Sequence, residues 1–138
     1  MAIMGMIISD LENCNSEKML KMILLHDLAE SKIGDYTPNQ ISKENKIKIE
    51  NDAYDEIINT LPEAIKLQYH KIWEEYQKQE SPESKIVHQI DKLEMALQAK
   101  MYQKQGSSKD VVESFFKSAE NEITHPKLKD ILNQILQD

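Results

Sequence analysis

Apolar residues recur along this chain at spacings of three and four, the period of a helix with one buried side, and nowhere in the strict alternation of a half-buried strand. MAIMGMII, residues 1–8, enters a buried-looking helix at once, with no cap and no preceding turn. Asn15 or Ser16 caps a helix whose body, MLKMILLHDLAE (Met19 to Glu30), is apolar on nearly every side, as befits the buried centre of a domain. Gly34, Pro38 and Asn39 mark 31–42 as a loop. Ser42 caps a helix through about Asn59, with Ala53, Tyr54, Ile57, Ile58 and Leu61 on its apolar side. Pro62 suits the first turn of the next, whose stripe is Ile65, Tyr69, Ile72, Trp73 and Tyr76.

Ser81-Pro82 joins a capping hydroxyl to a proline where no N–H is needed. The helix it opens runs to about Gln105, stops at Gly106, and turns Ile86, Ile90, Leu93, Leu97 and Met101 to the core. Ser107 or Ser108 caps a short helix containing Val111, Val112, Phe115 and Phe116. After His125-Pro126 a last helix buries Leu128, Ile131, Leu132 and Ile135. The expected fold is all-α, one helical bundle over residues 1–138, with a buried central helix that carries His26-Asp27.

Composition narrows the function classes. A length of 138 residues, with three Gly and four Pro, suits one helix-rich domain with a real core. No apolar run approaches the roughly 18 residues of a bilayer span, and MAIMGMII lacks the basic start and cleavage site of a signal peptide. Cys14 alone excludes an internal disulfide framework and fits a reducing compartment, so a soluble cytoplasmic protein is expected. A net charge of −7 argues against a nucleic-acid polymer or an anionic membrane as partner. All 17 basic residues are Lys, so a bound phosphate must be held by Lys, backbone N–H groups or a metal.

The candidate chemistry lies in LLHDLAESKIGDYTP, Leu24 to Pro38. A core helix has no need of the adjacent pair His26-Asp27, and burying an unpaired carboxylate is costly. Glu30 lies four residues after His26 and three after Asp27, on the same helix side, and Asp35 follows where a turn can bring it back. Imidazole with carboxylates suits Mn, Co, Fe, Zn or, less well, Mg. Asp91, with Val87 and Met95 as its i−4 and i+4 neighbours, borders an apolar face and can supply a ligand from a distant helix. Its bland alternative is an ion pair with Lys92 or Lys85. His70, His88 and His125 lack acidic or cysteine partners at ligand spacing, and Cys14 has no local base to activate it. Tyr69, Trp73 and Tyr76 read as core or subunit interface.

HDLAE, then GD, then WEEY and QIDKLEM, in that order, resemble the HD-domain metal-dependent phosphohydrolases, and within them the 5′-deoxynucleotidase branch. The resemblance covers essentially the whole chain, including THPKL. It implies an all-helical HD domain, a homodimer, and removal of phosphate from deoxynucleoside 5′-monophosphates with a divalent cation. It implies His26, Asp27 and Asp91 as metal ligands. It further implies that Glu30 and Asp35 act on water or leaving group, or with Tyr36 hold a second cation. The family pattern has a first ligand histidine that would lie a few residues before Met1, in a layer whose absence should leave apolar surface bare. The alternatives are a non-catalytic helical module that binds metal or nucleotide and dimerises, and a nuclease or cyclic-nucleotide phosphodiesterase of the wider class.

Overall fold

The computed structural model describes residues 1–34, 41–106 and 109–137, with only the backbone for 43 and 109–111. Among the described residues there are eight helices and no strand. They are α1 (Ala2–Glu12), α2 (Ser16–Leu25), α3 (Glu30–Ile33), α4 (Lys43–Ile58), α5 (Glu63–Lys78), α6 (Pro82–Lys104), α7 (Lys109–Glu122) and α8 (Pro126–Gln137). The all-α expectation holds, and three helix starts follow the capping logic. Asn15 accepts from the Lys18 N–H, Ser42 from Asn45 and Ser81 from Ser84. The expected cap at Ser107 or Ser108 falls outside the described residues.

The long α6 is the hub, packing against α1, α2, α5, α7 and α8, while α4 leans on α3 and α5. Val87, Ile90, Leu93 and Ala96 of α6 are fully buried among Met19 and Met22 of α2 and Leu128 and Leu132 of α8. Gly5 lets α1 approach α2 closely, since a Cβ there would run into the Ile23 side chain. On the other side Trp73 stacks on Tyr54, ring centroids 4.2 Å apart, and donates from Nε1 to Asn51 Oδ1 at 2.7 Å. The Tyr54 hydroxyl donates to the Tyr69 carbonyl at 3.0 Å.

Several boundaries differ from the sequence expectation. The apolar run Met19–Glu30 is not one helix, because α2 ends at Leu25 and His26 is its C-cap. The His26 ring takes the Ile23 carbonyl, at 2.7 Å, the acceptor that a continuing helix would offer to the Asp27 N–H. Tighter i to i+3 bonds then carry the chain on, Leu28 N to Leu25 O and Glu30 N to Asp27 O, both at 3.0 Å. The histidine–aspartate pair therefore sits in the turn after α2 and not inside a buried helix. Nor is α2 buried all round: Met19, Met22 and Ile23 face the core, but Leu24 is 72% exposed. Leu97 and Met101 of α6 are also exposed, as are Ile65 and Ile131, because each helix buries only the stripe its neighbours cover. Ile3, Met6, Ile7 and Leu11 share the outward side of α1.

The start of α6 carries a stability test. Ser81 caps it, and its hydroxyl also donates to the buried Ser84 hydroxyl at 3.0 Å, while Ser84 donates back to the Ser81 carbonyl at 3.0 Å. Ser81→Ala should cost about 1–2 kcal/mol in urea unfolding, the range for a lost helix cap. Exposed Ser31→Ala should cost much less.

Candidate active site

Backbone chemistry places the central histidine. The Ile23 carbonyl can only accept, so His26 Nδ1 must carry the hydrogen and the neutral ring presents a lone pair at Nε2. Metal-binding histidines commonly have this support, a second ring nitrogen donating to a backbone carbonyl. The Asp27 carboxylate lies 3.0 Å from Nε2, and Asp91, arriving from α6, lies at 3.8 Å. The neutral ring has no hydrogen at Nε2 to give either of them, so that atom is buried without a hydrogen-bond partner, while a protonated ring would bond Asp27.

Three electron-rich groups facing one another favour a cation between them, although the Asp27 carboxylate is itself 65% exposed to solvent. A proton is one solution: burial opposes the His26 imidazolium, but Asp27, the Ile23 carbonyl and Asp91 overcome it and raise its pKa above the ordinary value. Burial raises the Asp91 carboxyl, against the pull of His26 and Lys92. A divalent ion is the other solution, and imidazole nitrogen with two carboxylates is a donor set that fits one. Among the described residues no group of three or more such side chains is already closed into a metal-holding cluster. The donor chemistry and the orphaned Nε2 thus match a divalent ion, while the ring of ligands is incomplete in the described residues.

These side chains line a cleft of about 390 Å³ with Glu30, Lys46, Glu50, Tyr76, Gln79, His88, Lys92 and Glu122. Of the sequence candidates, His26, Asp27, Glu30 and Asp91 are brought together, and Asp35 and Tyr36 lie outside the described residues. Lys92 reaches toward Glu122 at 3.7 Å, so among the described ion pairs Asp91 is matched with His26 and not with a lysine. His70 and His125 do have acidic partners, Asp55 at 3.2 Å and Glu12 at 3.6 Å, but neither lines this cleft. Burial keeps the Cys14 thiol above its usual range, in keeping with an inert residue.

Sequence reasoning missed the floor and the far walls of the cleft. Tyr76 is core, as expected, yet its ring edge meets His26 at 6.1 Å and its face stacks on His88 at 4.1 Å. Burial, followed by the charges of Asp91, Asp27, Glu50 and Glu30, pushes the Tyr76 hydroxyl well above its ordinary range, so it stays protonated in a negative field. Lys46 and Glu50 come from α4, and their i,i+4 spacing was the available signal.

His88 is held neutral by burial, with Lys92 and His26 adding to the effect against the Tyr76 carbonyl, to which its Nε2 donates at 3.0 Å. Its folded pKa lies below the ordinary 6.5, so on acidification the unfolded chain takes the proton first. This residue's contribution to stability is therefore complete above about pH 6.5 and lost as the pH falls below it. His88→Gln should flatten that part of the melting-temperature profile between about pH 5 and 7.

The HD domain family matches residues 1–132. The 5′-deoxynucleotidase HDDC2 of Danio rerio is 34% identical over 139 residues, 100% of this chain and 69% of that protein. The 5′-deoxynucleotidase HDDC2 of Dictyostelium discoideum is 37% identical over 149 residues, 100% of this chain and 78% of that protein. The chain spans between 66% and 78% of the length of such relatives. The crystal structure of the PH0347 protein from Pyrococcus horikoshii OT3 is similar with a TM-score of 0.79 and 30% identity, over 97% of this chain and 76% of that one.

Proposed function

The chain belongs to the HD-domain family, and from that premise we propose that it is a divalent-metal-dependent 5′-deoxynucleotidase, hydrolysing deoxynucleoside 5′-monophosphates to deoxynucleoside and phosphate. The observation that carries this reading is the buried, partnerless His26 Nε2 between the carboxylates of Asp27 and Asp91. Those three residues would hold the ion, which supplies an acidified water and neutralises phosphate charge. Mn, Co or Mg, with Fe or Zn as further choices, suit the mixed nitrogen and oxygen donors.

The protein's own groups do the rest. The Ile23 carbonyl fixes the His26 tautomer and ring direction. Glu30, three residues beyond Asp27 and in the same cleft, is assigned to move the proton, either from water or to the departing 5′-oxygen. Asp35 shares that role or, with Glu30 and Tyr36, belongs to a second cation site. Tyr76 and His88 form an apolar, stacked floor that keeps bulk water from the back of the His26 ring. A homodimer in the cytoplasm is part of the same proposal. No helix among the described residues is long and apolar enough to cross a membrane.

Phosphate release from dAMP, dGMP, dCMP and dTMP with Mn²⁺ or Co²⁺ tests the reading. We expect turnover that EDTA abolishes and added metal restores. Absence of turnover on all four with every metal named would sink it, and tight nucleotide binding without hydrolysis would establish the non-catalytic alternative.

A further inference from the structure

We infer that the Tyr76 hydroxyl donates a hydrogen bond to the phosphate group of the substrate, an assignment that rests on the phosphomonoester reading above. A phosphate entering this cleft meets the carboxylates of Asp27, Glu30, Glu50, Asp91 and Glu122, which accept and, when ionised, cannot donate. The two histidines have given their hydrogens to backbone carbonyls, His26 Nδ1 to Ile23 and His88 Nε2 to Tyr76. A phenol suits such a place. It is neutral at ordinary pH, so the surrounding carboxylates cannot neutralise it, and it keeps a hydrogen to give.

Position selects Tyr76. Of the described amide and hydroxyl side chains that line the cleft, Gln77, Gln79 and Tyr76, the phenol is the one that is both buried and in ring contact with His26, centroids 6.1 Å apart at 69°. Whatever is drawn to His26, Asp27 and Asp91 therefore arrives beside it. The carboxylates that bear most on the hydroxyl are Asp91 and then Asp27, ahead of Glu50 and Glu30, which puts the oxygen on the ligand side of the cleft. Its bonding state points the same way. The Tyr54 hydroxyl is satisfied by the Tyr69 carbonyl at 3.0 Å. Among the described residues the Tyr76 hydroxyl has no such partner. Although the residue is only 8% exposed, its oxygen is not one of the sealed, partnerless atoms, which are His26 Nε2 and His125 Nδ1. It therefore opens on the cleft. The ring is also held, its face stacked on His88 at 4.1 Å and 6°, so the hydroxyl is presented in one direction. Phenylalanine would serve the stack and the edge contact equally well, and the hydroxyl is the part that packing does not use. Meeting a phosphate oxygen, it forms a charge-assisted hydrogen bond, about twice as strong as a neutral one.

The test uses equilibrium titration in Mn²⁺ with two probes: deoxyadenosine, and the 5′-phosphonate analogue of dAMP, whose P–C bond resists hydrolysis while its terminal oxygens remain. Wild type should prefer the phosphonate. Tyr76→Phe keeps the ring and should lose about tenfold or more in phosphonate affinity, the size expected for a hydrogen bond to a charged group. Its affinity for deoxyadenosine and for Mn²⁺ alone, and its melting temperature, should be unchanged. Tyr69→Phe, the same hydroxyl removed from α5 outside the cleft, should match wild type. In turnover Tyr76→Phe should lower kcat/KM for dAMP by at least the same factor. The inference is overturned if wild type shows no preference for the phosphonate, or if Tyr76→Phe keeps the wild-type preference or weakens both probes equally. It also falls if Tyr76→Phe binds Mn²⁺ more weakly or melts lower, which would make the hydroxyl a support of the site, or if Tyr69→Phe matches its loss. A wild type that turns over dAMP while Tyr76→Phe binds and reacts as wild type would overturn the inference alone. A wild type that binds the phosphonate through the Tyr76 hydroxyl yet releases no phosphate from dAMP would uphold the inference while overturning the deoxynucleotidase reading.

Discussion

Asp91→Asn is expected to abolish metal-dependent phosphate release while leaving the metal-free protein as stable as wild type or more so. Asp91 is largely buried on α6, and burial already disfavours its charge. Among the described ion pairs its partner is His26, at 3.8 Å, and the pull of His26 and Lys92 does not outweigh burial. Asparagine keeps the shape and removes the uncompensated charge, so the fold loses nothing it relies on. On the proposed reading the variant loses a metal ligand, and with the ion goes the several kcal/mol of charge stabilisation that a bound metal supplies in the transition state. At about 1.36 kcal/mol per factor of ten, that is a fall in kcat/KM of roughly a thousandfold. Melting curves in EDTA and turnover in Mn²⁺ read the two halves separately. A destabilised variant with near-normal turnover would show Asp91 to be structural. Asp27→Asn should behave in the same way on activity.

Trp73→Ala should produce the largest loss of stability, about 3–5 kcal/mol, as for other large aromatic side chains removed from a core. Trp73 is only 5% exposed, stacks on Tyr54 at an interplanar angle of 9°, and satisfies Asn51 through its indole N–H. Alanine would leave a cavity between α4 and α5, orphan the Asn51 carbonyl oxygen and unpack the fully buried Tyr54. For a chain of this size the melting temperature should fall by about 10–20 °C. Leu24→Ala is the contrast: the residue it replaces is large and apolar but 72% exposed, and its loss should cost under about 0.5 kcal/mol. Because α4 carries Lys46 and Glu50 to the cleft, the tryptophan variant should also lose activity through loosened geometry.

The contrast between Trp73 and Leu24 also marks what could be read before folding. Local chemistry wrote three helix starts into the sequence: Asn15, Ser42 and Ser81 each hold an N–H three residues on, and that depends on nothing distant. The period of apolar residues likewise identified an all-α chain, since helix period is a property of neighbours along the backbone. Residue type and spacing singled out His26, Asp27 and Glu30, because carboxylates beside a histidine in apolar surroundings have no structural purpose of their own, while Asp91 stood open between ligand and ion pair until the family resemblance was added.

Which apolar side is covered was decided elsewhere. Leu97 and Met101 continue the stripe of Ile86, Ile90 and Leu93, yet they are exposed while Ala96 and Ala99 are buried, so the covered side of α6 has turned away from that stripe by this point. The end of α2 depended on a side chain turning back to its own backbone, with the His26 ring bonding Ile23, a competition that periodicity cannot register. Only the packed structure set His26 within 3.8 Å of Asp91, 65 positions away in the chain, and placed Lys46 of α4 beside Glu30. The sequence by itself determined the helices and the residues with no structural reason to be there. Tertiary packing decided which of them meet, because contacts between remote helices are set by how buried faces fit together and not by any spacing along the chain.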